Sequence, residues 1–138
     1  MALHAIEINK DAASQLEQVI ATEHIYQNSI LEWIPPPIAW DLVLIKGVLI
    51  HINPDELNLV YDKLVTATNR YLMVAEYYNP VPVAMPYRGH TDRLFKRDFA
   101  GDIMERHPEM QLLDYGFVYR RDPNFPQDDM TWFLMEKN

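Results

Sequence analysis

Asp41-Leu42-Val43-Leu44-Ile45-Lys46-Gly47-Val48-Leu49-Ile50-His51-Ile52-Asn53-Pro54-Asp55-Glu56 is the stretch from which the fold can be read. After a polar start, Leu42 to Ile45 form an unbroken apolar run of strand length. A run without alternation fits a strand covered on both faces, as in a parallel sheet. Gly47 breaks the run, and Asn53 then opens a helix. The Asn53 side chain can cap it, Pro54 suits the first helical position, and Glu56 can reach back toward the cap. The spacing predicts a helix to about residue 68, with Leu57, Val60, Leu64 and Val65 turned inward.

Outward from this segment the pattern repeats. Residues 3–8, Leu3-His4-Ala5-Ile6-Glu7-Ile8, read as a short strand ending near a carboxylate. Asn9 is a cap for a helix over residues 10–21, whose Ala12, Ala13, Leu16, Val19 and Ile20 share a face. A short strand is expected over residues 24–27, followed by Asn28-Ser29 and then by Pro35-Pro36-Pro37, which marks a surface connection. Residues 71–76, Tyr71-Leu72-Met73-Val74-Ala75-Glu76, form another buried strand ending in a carboxylate. Residues 77–93 contain Pro80, Pro82, Pro86 and Gly89 without apolar periodicity and read as a long loop. A short helix over residues 98–106 stops at His107-Pro108. Residues 110–119 and 130–136 read as two strands joined by a loop long enough for antiparallel pairing. Strands alternating with helices imply one α/β domain over residues 1–138 with a mostly parallel sheet and a final antiparallel pair.

The chain of 138 residues is long enough for a real core. No apolar run reaches the roughly 20 residues needed to span a bilayer, so no membrane segment is expected. Met1-Ala2-Leu3-His4 lacks the basic region of a secretion signal, which makes a cytoplasmic location the expectation. With no cysteine, disulfides, thiolate metal sites and cysteine nucleophiles are excluded. A net charge of −8 argues against nucleic acid as a partner. The charge is uneven: residues 1–60 hold two basic and eight acidic side chains, residues 61–138 ten and twelve. Between Tyr87 and Arg97, Arg88, Arg93, Lys96 and Arg97 face only Asp92, so this stretch is a candidate anion site. His4, His24, His51, His90 and His107 form no metal-ligand spacing, and no Gly-x-Ser-x-Gly turn is present.

The segment from Asp41 to Pro54 resembles the fourth-strand region of Rossmann-like methyltransferases. Glu76-Tyr77-Tyr78-Asn79-Pro80, Pro86-Tyr87-Arg88-Gly89-His90 and Asp122-Pro123-Asn124-Phe125-Pro126-Gln127-Asp128-Asp129 extend the likeness. Together they resemble the methylases associated with pseudaminic acid biosynthesis, a bacterial nonulosonic-sugar pathway, over essentially the whole chain. The resemblance implies S-adenosylmethionine as cofactor, a sugar-type small molecule as acceptor, and a Rossmann-like sheet with a C-terminal antiparallel pair. By the same resemblance, Glu7 would accept hydrogen bonds from the ribose hydroxyls, and Asn28 and Ser29 would meet the adenine. Lys46, Gly47 and Val48 would meet the methionine part of the cofactor. His51 is the candidate general base, and Glu76 points toward the same edge. Tyr77, Tyr78, Tyr87, Arg88, His90 and Arg93 would form the acceptor side, where aromatic faces suit sugar rings and arginine suits a carboxylate.

Family members carry a first strand and a Gly-rich turn before the acidic strand. The four glycines here are Gly47, Gly89, Gly101 and Gly116, none in such a place. The expectation is therefore an N-terminally truncated domain with unpaired interior strand edges. The second and fourth strands of the family order could pair directly, a second copy could close the gap as a homodimer, or the chain could be a piece of a longer protein. Two functions stay open: a methyltransferase, or a non-catalytic domain that binds an anionic sugar or oligomerises.

Overall fold

A computed structural model describes the backbone of residues 1–138 and every side chain except those of Tyr87, His90, Thr91, Asp92 and Arg93. The chain divides into two compact units, Met1–Pro35 and Pro36–Asn138.

In the first unit, β1 (Ala5–Ile6) pairs in parallel with β2 (Ile25–Tyr26), Ala5 opposite Ile25. Between them lies α1 (Lys10–Leu16). Asn9 caps it, its side-chain oxygen accepting from the N–H groups of Asp11 and Ala12 at 2.9 and 3.0 Å. The helix is shorter than the predicted 10–21. Val19 N–H bonds Leu16 C=O and Gln18 N–H bonds Gln15 C=O, three residues back, so the helix tightens and ends there. Ala13 is buried but Val19 is exposed, so the apolar face does not continue.

The second unit is built on a four-stranded sheet of β3 (Trp40–Lys46), β4 (Thr68–Glu76), β7 (Met110–Val118) and β8 (Met130–Lys137) in the order β3-β4-β8-β7. Only β3 and β4 run parallel; β8 is antiparallel to both β4 and β7. The sheet is therefore mixed rather than mostly parallel, because β8 inserts between β4 and β7. The expected C-terminal antiparallel pair is present.

The helix opened by Asn53 starts with a 3₁₀ turn, Pro54–Glu56, and continues as α2 (Leu57–Ala67). The Asn53 side chain accepts from Asp55 N–H at 3.0 Å, and Leu57, Val60, Leu64 and Val65 are buried as the periodicity predicts. A second helix, α3 (Phe99–Arg106), is capped by Asp98, whose carboxylate accepts from Gly101 N–H at 2.9 Å. α2 packs on β3 and β4, and α3 on β4 and β7. Ile45, Leu72, Val74 and Met135 are buried in this core, whereas Leu42 and Leu44 are 57% and 59% exposed. Contrary to the reading of an unbroken apolar run, β3 is covered on one face only. The run looks the same in sequence whether one helical layer or two will lie on it.

The predicted long loop over residues 77–93 is largely a hairpin, β5 (Val83–Tyr87) and β6 (His90–Lys96). Arg88 and Gly89 both have positive φ, 50° and 80°, so they make the primed two-residue turn that suits the twist of paired strands. Pro86 masked the strand because it donates no ladder bond, and the register shifts between Met85 and Tyr87.

Candidate functional site

Open α/β sheets bind ligands outside the carboxyl ends of their strands. In the second unit that edge is formed where β3 and β4 end, side by side. Lys46 closes β3 and Gly47 turns the chain away with φ +65°, a left-handed backbone that costs a residue with a Cβ about 1–2 kcal/mol. A Cβ at Gly47 would meet only Met130 Cε at 3.6 Å, so the requirement is conformational rather than steric. Gly47 N–H still bonds Ala75 C=O at 3.0 Å, which carries the β3–β4 ladder into the turn. Val48 then enters the 3₁₀ turn Leu49–His51.

Glu76 holds this turn in place. It is the last residue of β4 and only 3% exposed. Its Oε1 accepts from Val48 N–H at 3.1 Å and from Leu49 N–H at 3.0 Å. Its Oε2 is buried with no hydrogen-bond partner. Burial pushes the carboxyl up to about 7, against the pull of the backbone N–H groups of Leu49, Val48, Ile50 and Gly47. A carboxyl used in this way is a positioning group: it fixes the backbone that any ligand at this edge would meet.

Around it, Glu76, Tyr77, Tyr78, Arg97, Thr131 and Phe133 pack about a crevice too tight to hold a water molecule. Tyr77 donates its hydroxyl hydrogen bond to the Asp128 carboxylate, and the Lys96 ammonium lies 5.5 Å from the Tyr77 ring centre. Tyr78 packs against Phe133 with centroids 5.9 Å apart. Lys46 is exposed, its ammonium 3.5 Å from Gln127 Oε1. Arg97 Nη1 lies 3.7 Å from the Asp102 carboxylate.

The structure thus brings Lys46, Gly47, Val48, Glu76, Tyr77 and Tyr78 to one edge. His51 is exposed at the end of the 3₁₀ turn, its backbone N–H bonded to Val48 C=O at 3.0 Å. Arg88 is exposed at the tip of the β5–β6 hairpin. The side chains of Tyr87, His90 and Arg93 lie outside the described residues. Sequence reasoning named Arg97 as part of the candidate anion stretch but did not single out Thr131 or Phe133. Arg97 was visible as the end of the basic run, whereas Thr131 and Phe133 enter only through the pairing of β8 with β4.

Glu7, Asn28 and Ser29 belong to the first unit. Glu7 follows β1; its N–H bonds Tyr26 C=O and its Oε1 accepts from Asn9 N–H, both at 3.0 Å. This orients the carboxylate at the end of the parallel β1–β2 pair. Asn28 Oδ1 accepts from Ser29 N–H at 2.9 Å, and Ser29 Oγ accepts from Leu31 N–H at 3.2 Å. Among the described residues no group of three or more His, Cys, Asp or Glu could hold a metal ion, and no helix is long and apolar enough to cross a membrane.

No protein-family profile matches the chain, and no curated protein matches its sequence. Solved structures do match its fold. A S-adenosylmethionine-dependent methyltransferase of Leishmania major is 14% identical with a TM-score of 0.68, over 94% of this chain and 53% of that one. The O-methyltransferase of a trans-AT polyketide synthase multienzyme of Brevibacillus brevis, in complex with S-adenosyl-L-homocysteine, is 12% identical with a TM-score of 0.72, over 99% and 59%. The N-methyltransferase NodS of Bradyrhizobium japonicum is 14% identical with a TM-score of 0.69, over 99% and 73%. This chain therefore spans a little over half of the first two structures and about three quarters of the third. The chain has the α/β fold of S-adenosylmethionine-dependent methyltransferases.

Proposed function

We propose that this chain is a methyltransferase-type transferase domain that uses S-adenosylmethionine and takes a nonulosonic-type sugar as acceptor. The observation that carries the reading is the Glu76 carboxylate clamping the turn from Gly47 to Leu49 at the carboxyl edge of the sheet. Each unit by itself carries polar groups whose chemistry suits part of an adenosyl cofactor. Glu7, its carboxylate oriented by Asn9, suits a ribose diol, and Asn28 suits a base edge. Gly47 and Val48 would hold the methionine end. The cofactor would supply an electrophilic sulfonium methyl when bound.

What the chain itself contributes is position and exclusion of water, the main requirements of such a transfer. Tyr78, exposed at this edge beside Tyr77, offers an apolar ring face to the acceptor. Glu76 keeps the turn rigid, and His51, exposed on the same turn, is the candidate general base. In the same reading β3, an edge strand with exposed Leu42 and Leu44, pairs with a second copy of the chain, and the protein works in the cytoplasm without nucleic acid or membrane.

Isothermal titration with S-adenosylhomocysteine tests the proposal. The expected result is a dissociation constant in the micromolar range, weakened about tenfold or more by Glu7→Ala and by Gly47→Val. No heat at a protein concentration of about 0.1 mM, roughly the constant this would detect, would leave the second reading: a domain of this fold that binds sugar without catalysing transfer.

A further inference from the structure

Beside the Glu76 edge runs a strip of aromatic side chains of which the proposed transfer uses only Tyr78. Tyr78 packs on Phe133 at 5.9 Å. Phe133 on β8 is paired in register with Tyr115 on β7, and their rings lie 6.3 Å apart at 24°. Phe117 follows two residues along β7, on the same side of the strand, and its ring lies 6.3 Å from that of Tyr119. Tyr115 and Phe117 are 64% and 61% exposed, and Tyr78 and Tyr119 about half so. Buried large aromatics are the rule; a contiguous exposed row of them marks a contact surface.

The area separates the two principal occupants. The four exposed rings offer on the order of 400 Å². A standard dimer interface takes roughly 800 Å² from each partner, so the strip is about half of what a second copy needs. It falls instead within the size of functional patches on single proteins. Its shape is long and narrow: the ring-to-ring path from Tyr78 to Tyr119 is about 25 Å. Its chemistry is mixed, since the phenol hydroxyls of Tyr78, Tyr115 and Tyr119 punctuate apolar ring surface. Pyranose rings have that same character, with apolar C–H faces bordered by hydroxyls. Next to Tyr119, Arg120 is paired with the Asp129 carboxylate at 2.7 Å, and the net charge of −8 disfavours a single-stranded nucleic acid, the other polymer that stacks on aromatic rows.

We propose that Tyr78, Phe133, Tyr115, Phe117 and Tyr119 form a docking strip for an oligosaccharide chain, whose terminal sugar would lie at the sheet edge beside Tyr78. The inference rests on the sugar-acceptor reading and narrows it: the acceptor residue is carried on a chain of sugars rather than supplied as a free monosaccharide.

The test is calorimetric titration of the whole chain with chitohexaose, with maltohexaose, and with N-acetylglucosamine and glucose as single-ring controls. At least one hexasaccharide is expected to bind tenfold or more tightly than its monosaccharide. Tyr115→Ala and Phe117→Ala should each weaken that binding by up to about tenfold, the scale of one aromatic contact, while leaving the urea midpoint unchanged because both rings are exposed. Binding that is absent for both hexasaccharides, equal for hexasaccharide and monosaccharide, or untouched by both substitutions overturns the proposal. So does a dimer, seen by sedimentation, that Phe117→Glu converts to monomer, since the strip would then be a self-contact. S-adenosylhomocysteine is titrated separately. Oligosaccharide binding without cofactor binding would uphold the strip and refute the transferase; cofactor binding without oligosaccharide binding would do the reverse.

Discussion

Raising the pH should weaken this fold through Glu76. In the folded chain its carboxyl sits at about 7, against 4.5 for a solvated glutamate, because burial penalises the charged form. Between those two values the folded state holds a proton that the unfolded state has released. Stability is therefore full below about pH 4.5, falls as the pH rises, and levels off once the folded carboxyl has ionised above about 7. A gap of 7 against 4.5 corresponds to on the order of 3 kcal/mol, of which roughly 2–3 kcal/mol lies between pH 5 and pH 8. Glu76→Gln is the informative variant. Its amide oxygen can still accept from Val48 and Leu49 N–H, but it has no charge to bury. Urea unfolding of both proteins at pH 5 and pH 8 makes the comparison. The wild-type chain should lose most of that amount and the variant little of it, so the variant should be the more stable at pH 8. Parallel pH dependence in the two proteins, or a wild-type chain more stable at pH 8 than at pH 5, would refute the assignment.

A second titration acts at the other end of the scale. Arg106 donates to the Asp62 carboxylate at 2.7 and 2.8 Å, and His107 adds a contact of 2.7 Å, holding Asp62 down at about 2. This stabilisation is present above about pH 3.8 and lost as the pH falls toward 2, so Asp62→Asn should flatten the acid limb of the unfolding curve, by less than about 1 kcal/mol because the pair is partly exposed. Gly116 faces Trp132 across β7 and β8, and a Cβ there would lie 2.6 Å from the indole ring. Gly116→Ala should cost about 1–3 kcal/mol in urea unfolding and shift tryptophan fluorescence; an unchanged midpoint would show that the indole moves aside freely.

Several elements were legible before folding was considered. Asn9 and Asn53 each accept backbone hydrogen bonds at a helix start, as read, because capping needs only a short acceptor next to its own helix. The inward face of α2 followed from spacing alone. The β5–β6 hairpin was hidden: Pro80, Pro82 and Pro86 read as loop, and an arginine at positive φ is an uncommon first turn residue. At the candidate site, Gly47 and Glu76 were legible as strand-end residues, but not their connection. Glu76 reads in sequence as a candidate catalytic carboxylate; its bonds to the N–H groups of Val48 and Leu49, 28 and 27 residues earlier, come only with the fold.

By itself the sequence determined the local grammar: the strands of the main sheet, where helices begin, the apolar face of α2, and the absence of cysteine from this chain. These depend on neighbours along the chain, within reach of one turn or one pleat. Only the tertiary structure decided that β8 enters the sheet between β4 and β7, that β3 is covered on a single face, and that Phe133 meets both Tyr78 and Tyr115. Those outcomes depend on strand pairing between residues far apart in sequence, and the free energy that selects one pairing over another is shared among many side chains rather than written in any one motif.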